Sequence, residues 1–190
     1  MKVITILGAT GSVGVNTLEI IRDNPNDFEV YALTARCNIE LLYQQCLQFK
    51  PNYAVVVSED LASKLANDLA EVNSQTMVLY GESALIEVAS AKAVDMVMAA
   101  IVGIAGLKST YAAIEKGKTI LLANKETLVS AGEIFIHAAK KSGAVILPVD
   151  SEHNAIFQCL PEYAKAYDEQ TIAKIILTAS GGPFRDRDGC

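Results

Sequence analysis

The chain has 190 residues, 51% of them hydrophobic and 20% charged, with a net charge of −6. That length suits one large domain, or one domain and part of another, with a substantial core. The acidic balance argues against a general nucleic-acid or anionic-membrane binder, so an anionic ligand would have to be held by local donors or a cation. No apolar run is long enough to span a bilayer, and no secretory leader is expected before the first apolar stretch. The four cysteines, Cys37, Cys46, Cys159 and Cys190, form no CxxC pair. Reduced thiols in a cytoplasmic protein fit this pattern better than a zinc site.

Residues 3–7 (Val-Ile-Thr-Ile-Leu) read as a buried parallel strand. The turn Gly8-Ala9-Thr10-Gly11-Ser12-Val13-Gly14 leads from it into an amphipathic helix over 12–23, striped by Val15, Leu18, Ile20 and Ile21. In such a turn Gly8 permits the sharp bend, Gly11 lets backbone N–H approach a phosphate, and Gly14 lets helix and strand pack closely. A helix start of this kind favours an anion.

Strands and helices then alternate. Strands are expected at 28–34, 53–57, 76–80, 94–99, 119–123 and 144–149, and helices at 39–49, 61–71, 83–91, 107–116 and 126–141. The alternation predicts an α/β fold: a Rossmann-like, mostly parallel sheet flanked by helices, over residues 1–149. A helix at 152–160, with Cys159 among its core residues, and a strand at 172–178 would begin a second α/β domain, catalytic in role, over 150–190. The strand at 172–178 has nothing after it to pair with, and the chain reads as truncated. An exposed apolar edge there would invite association.

Ligands of open α/β sheets lie beyond the carboxyl ends of the strands. The second strand ends in Thr34-Ala35-Arg36-Cys37-Asn38 without a carboxylate, which favours NADP(H) over NAD(H), with Arg36 on the 2′-phosphate. At a later strand end, Asn124-Lys125-Glu126 pairs a candidate helix cap with a lysine able to reach a substrate hydroxyl or phosphate. The segment 101–106 is small enough for a ring to lie against backbone, or simply to pack. In Asp150-Ser151-Glu152-His153, residues two apart on extended chain face the same way, so Asp150 and Glu152 would converge on Mg²⁺ or Mn²⁺. An acidic helix start explains the same spacing equally well. His153 reads as a local hydrogen-bonding residue.

Taken together, the glycine turn, Leu122-Ala123-Asn124-Lys125-Glu126, the run 148–158 (Pro-Val-Asp-Ser-Glu-His-Asn-Ala-Ile-Phe-Gln) and Thr178-Ala179-Ser180-Gly181-Gly182-Pro183-Phe184-Arg185 resemble the 1-deoxy-D-xylulose 5-phosphate reductoisomerase family. Members are NADPH- and divalent-metal-dependent enzymes that make 2-C-methyl-D-erythritol 4-phosphate for non-mevalonate isoprenoid synthesis. The resemblance implies that Thr10, Gly11, Ser12 and Val13 hold the NADPH pyrophosphate and that Arg36, Cys37 and Asn38 flank its 2′-phosphate. It implies cofactor contacts from Asn124 and Glu126, and substrate contacts from Lys125, Ser151, Glu152 and Ser180. Asp150 and Glu152 would be metal ligands and, with Lys125, the catalytic residues. A small phosphorylated sugar and a second copy of the chain are the partners it implies, with no nucleic acid or membrane. Cys37 stands where the family often has Lys or Arg, which leaves the 2′-phosphate chiefly to Arg36. Family members also continue past this point into regions that hold a third metal carboxylate and most of the substrate-phosphate ligands. Two other readings stay open: a stand-alone NADP-binding module, and a semialdehyde-dehydrogenase-like enzyme, which would need an activated cysteine that Cys159 is poorly placed to supply.

Overall fold

The computed structural model describes residues 1–160 and 172–176. It divides into two compact units, Met1–Leu147 and Pro148–Cys190. Seven strands, β1 (Lys2–Leu7), β2 (Phe28–Thr34), β3 (Tyr53–Val56), β4 (Met77–Tyr80), β5 (Met96–Ala99), β6 (Thr119–Leu122) and β7 (Val145–Pro148), form one sheet in the order β4-β3-β2-β1-β5-β6-β7. The ladders β1–β2, β1–β5, β2–β3, β3–β4 and β5–β6 are all parallel. Parallel neighbours require crossovers, and these are α1 (Ser12–Asp23), α2 (Ile39–Phe49), α3 (Glu59–Glu71), α4 (Gly81–Ser90), α5 (Leu107–Glu115) and α6 (Lys125–Ser142).

The order makes β1 the hub. The chain steps outward through β2, β3 and β4, then returns to lay β5 on the other edge of β1. Right-handed crossovers that step in opposite directions put their helices on opposite faces of a sheet. A strand covered on both faces must be apolar throughout, which is why β1 reads as an unbroken run: Ile4, Ile6 and Leu7 are all buried. Thr5, also buried, donates its hydroxyl to the Val88 carbonyl (2.9 Å), so that polar group costs little. On one face Leu7, Val97, Ile114, Ile120, Leu122 and Phe135 form a continuous core, with Tyr111 tilted against Phe135 at 5.8 Å between ring centroids.

Lys118, 8% exposed at the start of β6, donates from Nζ to the carbonyls of Ala91 (2.7 Å) and Val94 (2.5 Å). Burial lowers its pKa, partly opposed by Asp95. The amine thus binds the chain leaving α4 to the chain approaching β5. Burial pushes the Cys46 thiol on α2 up to about 12. Iodoacetamide at neutral pH is expected to label the exposed Cys37 and Cys159 and to spare Cys46 until the chain is unfolded, as read by peptide mass. Labelling of Cys46 at the rate of the other two in the folded chain would contradict its burial.

Several local expectations differ from the structure. Residues 172–176 form no strand, and Ile175 and Ile176 are exposed at 57% and 73%; an apolar run becomes a strand only where a partner completes its ladder. Residues 177 and 178 of that expected strand lie outside the described residues. Cys159 is exposed, because helix α7 (Ser151–Cys159) buries none of its residues. Ile20 faces solvent, and Thr17 takes a place on the buried side of α1. The segment after β5 contains a 3₁₀ turn, Gly103–Gly106, that merges into α5.

Candidate functional site

The turn after β1 is built by two of its three glycines. Gly8 has φ +88°, and a Cβ there would lie 2.8 Å from the Ala100 carbonyl oxygen, so both conformation and space demand glycine. At Gly14, packed in α1, a Cβ would lie 2.3 Å from the Gly8 carbonyl oxygen and 2.6 Å from Ala9 Cα. Gly11 is different. Its φ of −81° suits any residue, and a Cβ would make only an ordinary contact, 3.5 Å from the Gly8 oxygen. Nothing within the described chain requires glycine at position 11.

The turn is fastened from β2 and α2. Thr34 accepts from Gly8 N–H through its hydroxyl (2.9 Å) and from Ala9 N–H through its carbonyl (2.7 Å). Gln45 Nε2 donates to the Ala9 carbonyl (2.9 Å). Gly11 caps α1 without a side-chain bond, and no carboxylate stands in the helix's first turn. The first N–H groups of α1 and the positive end of its dipole are therefore open to an anion. Neither Thr34 nor Gln45 was a candidate from sequence. The available signal was a glutamine on the apolar stripe of α2 beside Leu42 and Cys46, since a buried polar residue is the informative exception.

Beyond β2, Arg36, Cys37 and Asn38 are exposed at the same carboxyl edge. Asn38 Oδ1 accepts from Leu41 N–H (3.2 Å), so it caps α2. The Arg36 guanidinium makes no ion pair with a carboxylate among the described residues.

The strand order sets the third part of this edge. Because β5 lies beside β1, the crevice at the reversal of winding opens between the glycine turn and residues 100–106. Asn124, 5% exposed, fixes that loop. Its Nδ2 donates to the carbonyls of Ile101 and Gly103, the latter at 2.6 Å, and its Oδ1 accepts from Thr127 N–H at 3.2 Å. The amide nitrogen is thus spent on the loop, and the side-chain oxygen on the start of α6. Lys125 and Glu126 follow, both exposed in the first turn of α6. Thr10–Val13, Arg36–Asn38 and Asn124–Glu126 thus gather at the carboxyl ends of β1, β2 and β6 in the first unit.

The second unit carries Asp150, Ser151 and Glu152. The extended segment expected to align the two carboxylates is a helix start instead. Asp150 caps α7, accepting from His153 N–H (3.4 Å) and pairing with His153 Nδ1 (2.8 Å), and Glu152 lies in the first turn. His153 is the local hydrogen-bonding residue expected. The two carboxylates offer hard oxygen donors of the kind Mg²⁺ and Mn²⁺ take. Among the described residues, no three His, Cys, Asp or Glu side chains gather into a metal-holding group. Ser180 lies outside the described residues.

A model of the 1-deoxy-D-xylulose 5-phosphate reductoisomerase family matches residues 4–132, and a model of that enzyme's C-terminal domain matches residues 146–189. The reductoisomerase of Saccharophagus degradans is 54% identical over 186 residues, covering 98% of this chain and 47% of the relative. That of Haemophilus ducreyi is 53% identical over 193 residues, covering 98% and 49%. A crystal structure of DOX-P reductoisomerase in complex with magnesium superposes with a TM-score of 0.93 at 47% identity, covering 99% of this chain and 48% of the other. The Zymomonas mobilis enzyme in complex with NADPH gives 0.89 at 47% identity, covering 98% and 48%. The chain spans about half the length of the relatives it matches. With a family model matched over most of its length and a sheet that superposes on the solved enzymes, the chain belongs to the 1-deoxy-D-xylulose 5-phosphate reductoisomerase family.

Proposed function

We propose that this chain supplies the NADPH-holding portion of an enzyme that rearranges and reduces 1-deoxy-D-xylulose 5-phosphate to 2-C-methyl-D-erythritol 4-phosphate. The observation that carries the proposal is Gly11: a glycine that no contact among the described residues requires, at a helix start without a side-chain cap, beside the crevice where the sheet reverses. Glycine at that place admits a pyrophosphate to the backbone N–H groups of Thr10, Ser12 and Val13. Arg36 would take the 2′-phosphate, with Cys37 and Asn38 flanking it. Glu126 and Asn124 would complete the cofactor contacts, and Lys125, Ser151, Glu152 and Ser180 would bind the phosphorylated sugar. Asp150 and Glu152 would hold a divalent cation. When bound, NADPH supplies the hydride and the cation polarises the sugar's carbonyl and hydroxyl oxygens. The same proposal has a cytoplasmic homodimer without nucleic-acid or membrane partners. It is supported by the family, by the net charge of −6, and by the lack, among the described residues, of a helix long and apolar enough to cross a membrane.

Titration of the chain with NADPH, followed by nucleotide fluorescence, tests the cofactor. Saturable binding is expected, and no binding would reject the proposal. Arg36→Asp is expected to weaken NADPH roughly 10- to 100-fold, the range for lost charge-assisted hydrogen bonds, and NADH hardly at all. Equal losses for both would remove Arg36 from the 2′-phosphate.

The alternative reading is an NADP-binding module without catalysis. NADPH affinity that responds to the phosphorylated sugar and Mn²⁺ together would favour the enzyme over the module.

A further inference from the structure

Gln45 sits on α2, two helical turns below the 2′-phosphate residues, and is only 6% exposed. Its Nε2 donates to the Ala9 carbonyl at 2.9 Å. Its Oε1 is buried and has no hydrogen-bond partner among the described residues. A buried acceptor left unpaired is unfavourable, and an apolar side chain of the same length would avoid that cost. Packing therefore does not account for an amide here. Its single bond does.

That bond lands on the peptide joining Ala9 to Thr10. The peptide is trans, so its C=O and N–H point in opposite directions. Turning the Ala9 carbonyl onto α2 turns the Thr10 N–H away from it. The other N–H groups of the turn are spent: Gly8 on the Thr34 hydroxyl, Ala9 on the Thr34 carbonyl, and Gly11 on the Gly8 carbonyl at 3.2 Å. Thr10 N–H has no acceptor among the described residues, and it adjoins the first N–H groups of α1, which likewise have none. One buried amide thus decides whether the turn adds a donor to that set or withdraws it.

We infer that Gln45 is a positioning residue for the cofactor's pyrophosphate: it never touches NADPH, and acts by aiming the Thr10 N–H. This rests on the NADPH proposal above. Gln45→Met keeps the length and loses the donor. The experiment compares this variant with the unaltered chain in three measurements: melting temperature, affinity for NADPH, and affinity for adenosine 2′-monophosphate, which carries the 2′-phosphate but no pyrophosphate. Expected are a melting temperature within a few degrees of the unaltered chain, because removal of the unpaired Oε1 and loss of the Ala9 carbonyl's donor oppose each other, NADPH weakened roughly five- to tenfold, as for one lost hydrogen bond, and unchanged adenosine 2′-monophosphate binding. Unchanged NADPH affinity in a folded variant would overturn the inference. So would equal weakening of both ligands, or failure of the variant to fold, since the amide would then serve the fold rather than the pyrophosphate. An unaltered chain that binds no NADPH would instead reject the cofactor assignment itself.

Discussion

Alanine at Gly14 is expected to lower the melting temperature by roughly 6–12 °C, the consequence of ~3 kcal/mol of overpacking in a domain of this size. The added Cβ would sit 2.3 Å from the Gly8 oxygen and 2.6 Å from Ala9 Cα, both backbone atoms that cannot rotate aside. Relief requires α1 to move off β1, which also carries the turn away from Thr34 and Gln45. NADPH binding should fall with stability. Alanine at Gly11 makes the contrast. It loses a glycine helix cap, at most ~1 kcal/mol, but places a methyl group where a phosphate would approach. Thermal melts and NADPH titrations on the two variants should therefore separate: Gly14→Ala loses both, and Gly11→Ala loses mainly affinity. Wild-type NADPH affinity in Gly11→Ala would remove the glycine turn from the cofactor site.

Asn124→Ala should cost about 2–4 kcal/mol, because it removes a helix cap and leaves the Ile101 and Gly103 carbonyls without their donor. The loss should appear first as faster amide hydrogen exchange across 101–106, the segment that Asn124 ties to β6. Asn124→Asp divides the two duties. It keeps an oxygen for Thr127 N–H, so α6 stays capped, but sets a carboxylate against two carbonyls. Its α6 exchange should resemble that of the unaltered chain, whereas its 101–106 exchange should exceed that of the alanine variant. If 101–106 exchanges equally in all three proteins, the loop is held by something other than this amide.

What could be read from sequence was what is local. The turn from β1 to α1 announces itself because strand, glycines and amphipathic helix lie within two dozen residues. Arg36 and Asn124–Glu126 were legible for the same reason, each standing at the end of a recognisable apolar run. Strand order was not legible, since no local signal says that β5 returns to β1 rather than adding beyond β4. The roles of Thr34 and Gln45 depend on that arrangement and were hidden with it. The side chain of Asn124 could be anticipated as a cap, but not as a clasp on a loop 21 to 23 residues upstream. At Asp150 and Glu152 the two-residue spacing suited both an extended segment and a helix start, and only the backbone distinguishes them. The run at 172–178 had the composition of a strand, but composition supplies no partner.

The central place of β1 also bears on how the protein is made. Synthesis delivers β1 and β2 before β5, the strand that closes the other edge of β1 and ends at Ala99. At ordinary ribosomal speeds the intervening stretch takes roughly 3–13 seconds to appear. Throughout that interval one side of a largely buried, apolar strand stands open on the nascent chain, able to zip against a neighbour on the same messenger. A fold in which a later strand returns to an earlier one leaves that earlier strand's edge unguarded for as long as the chain between them takes to appear.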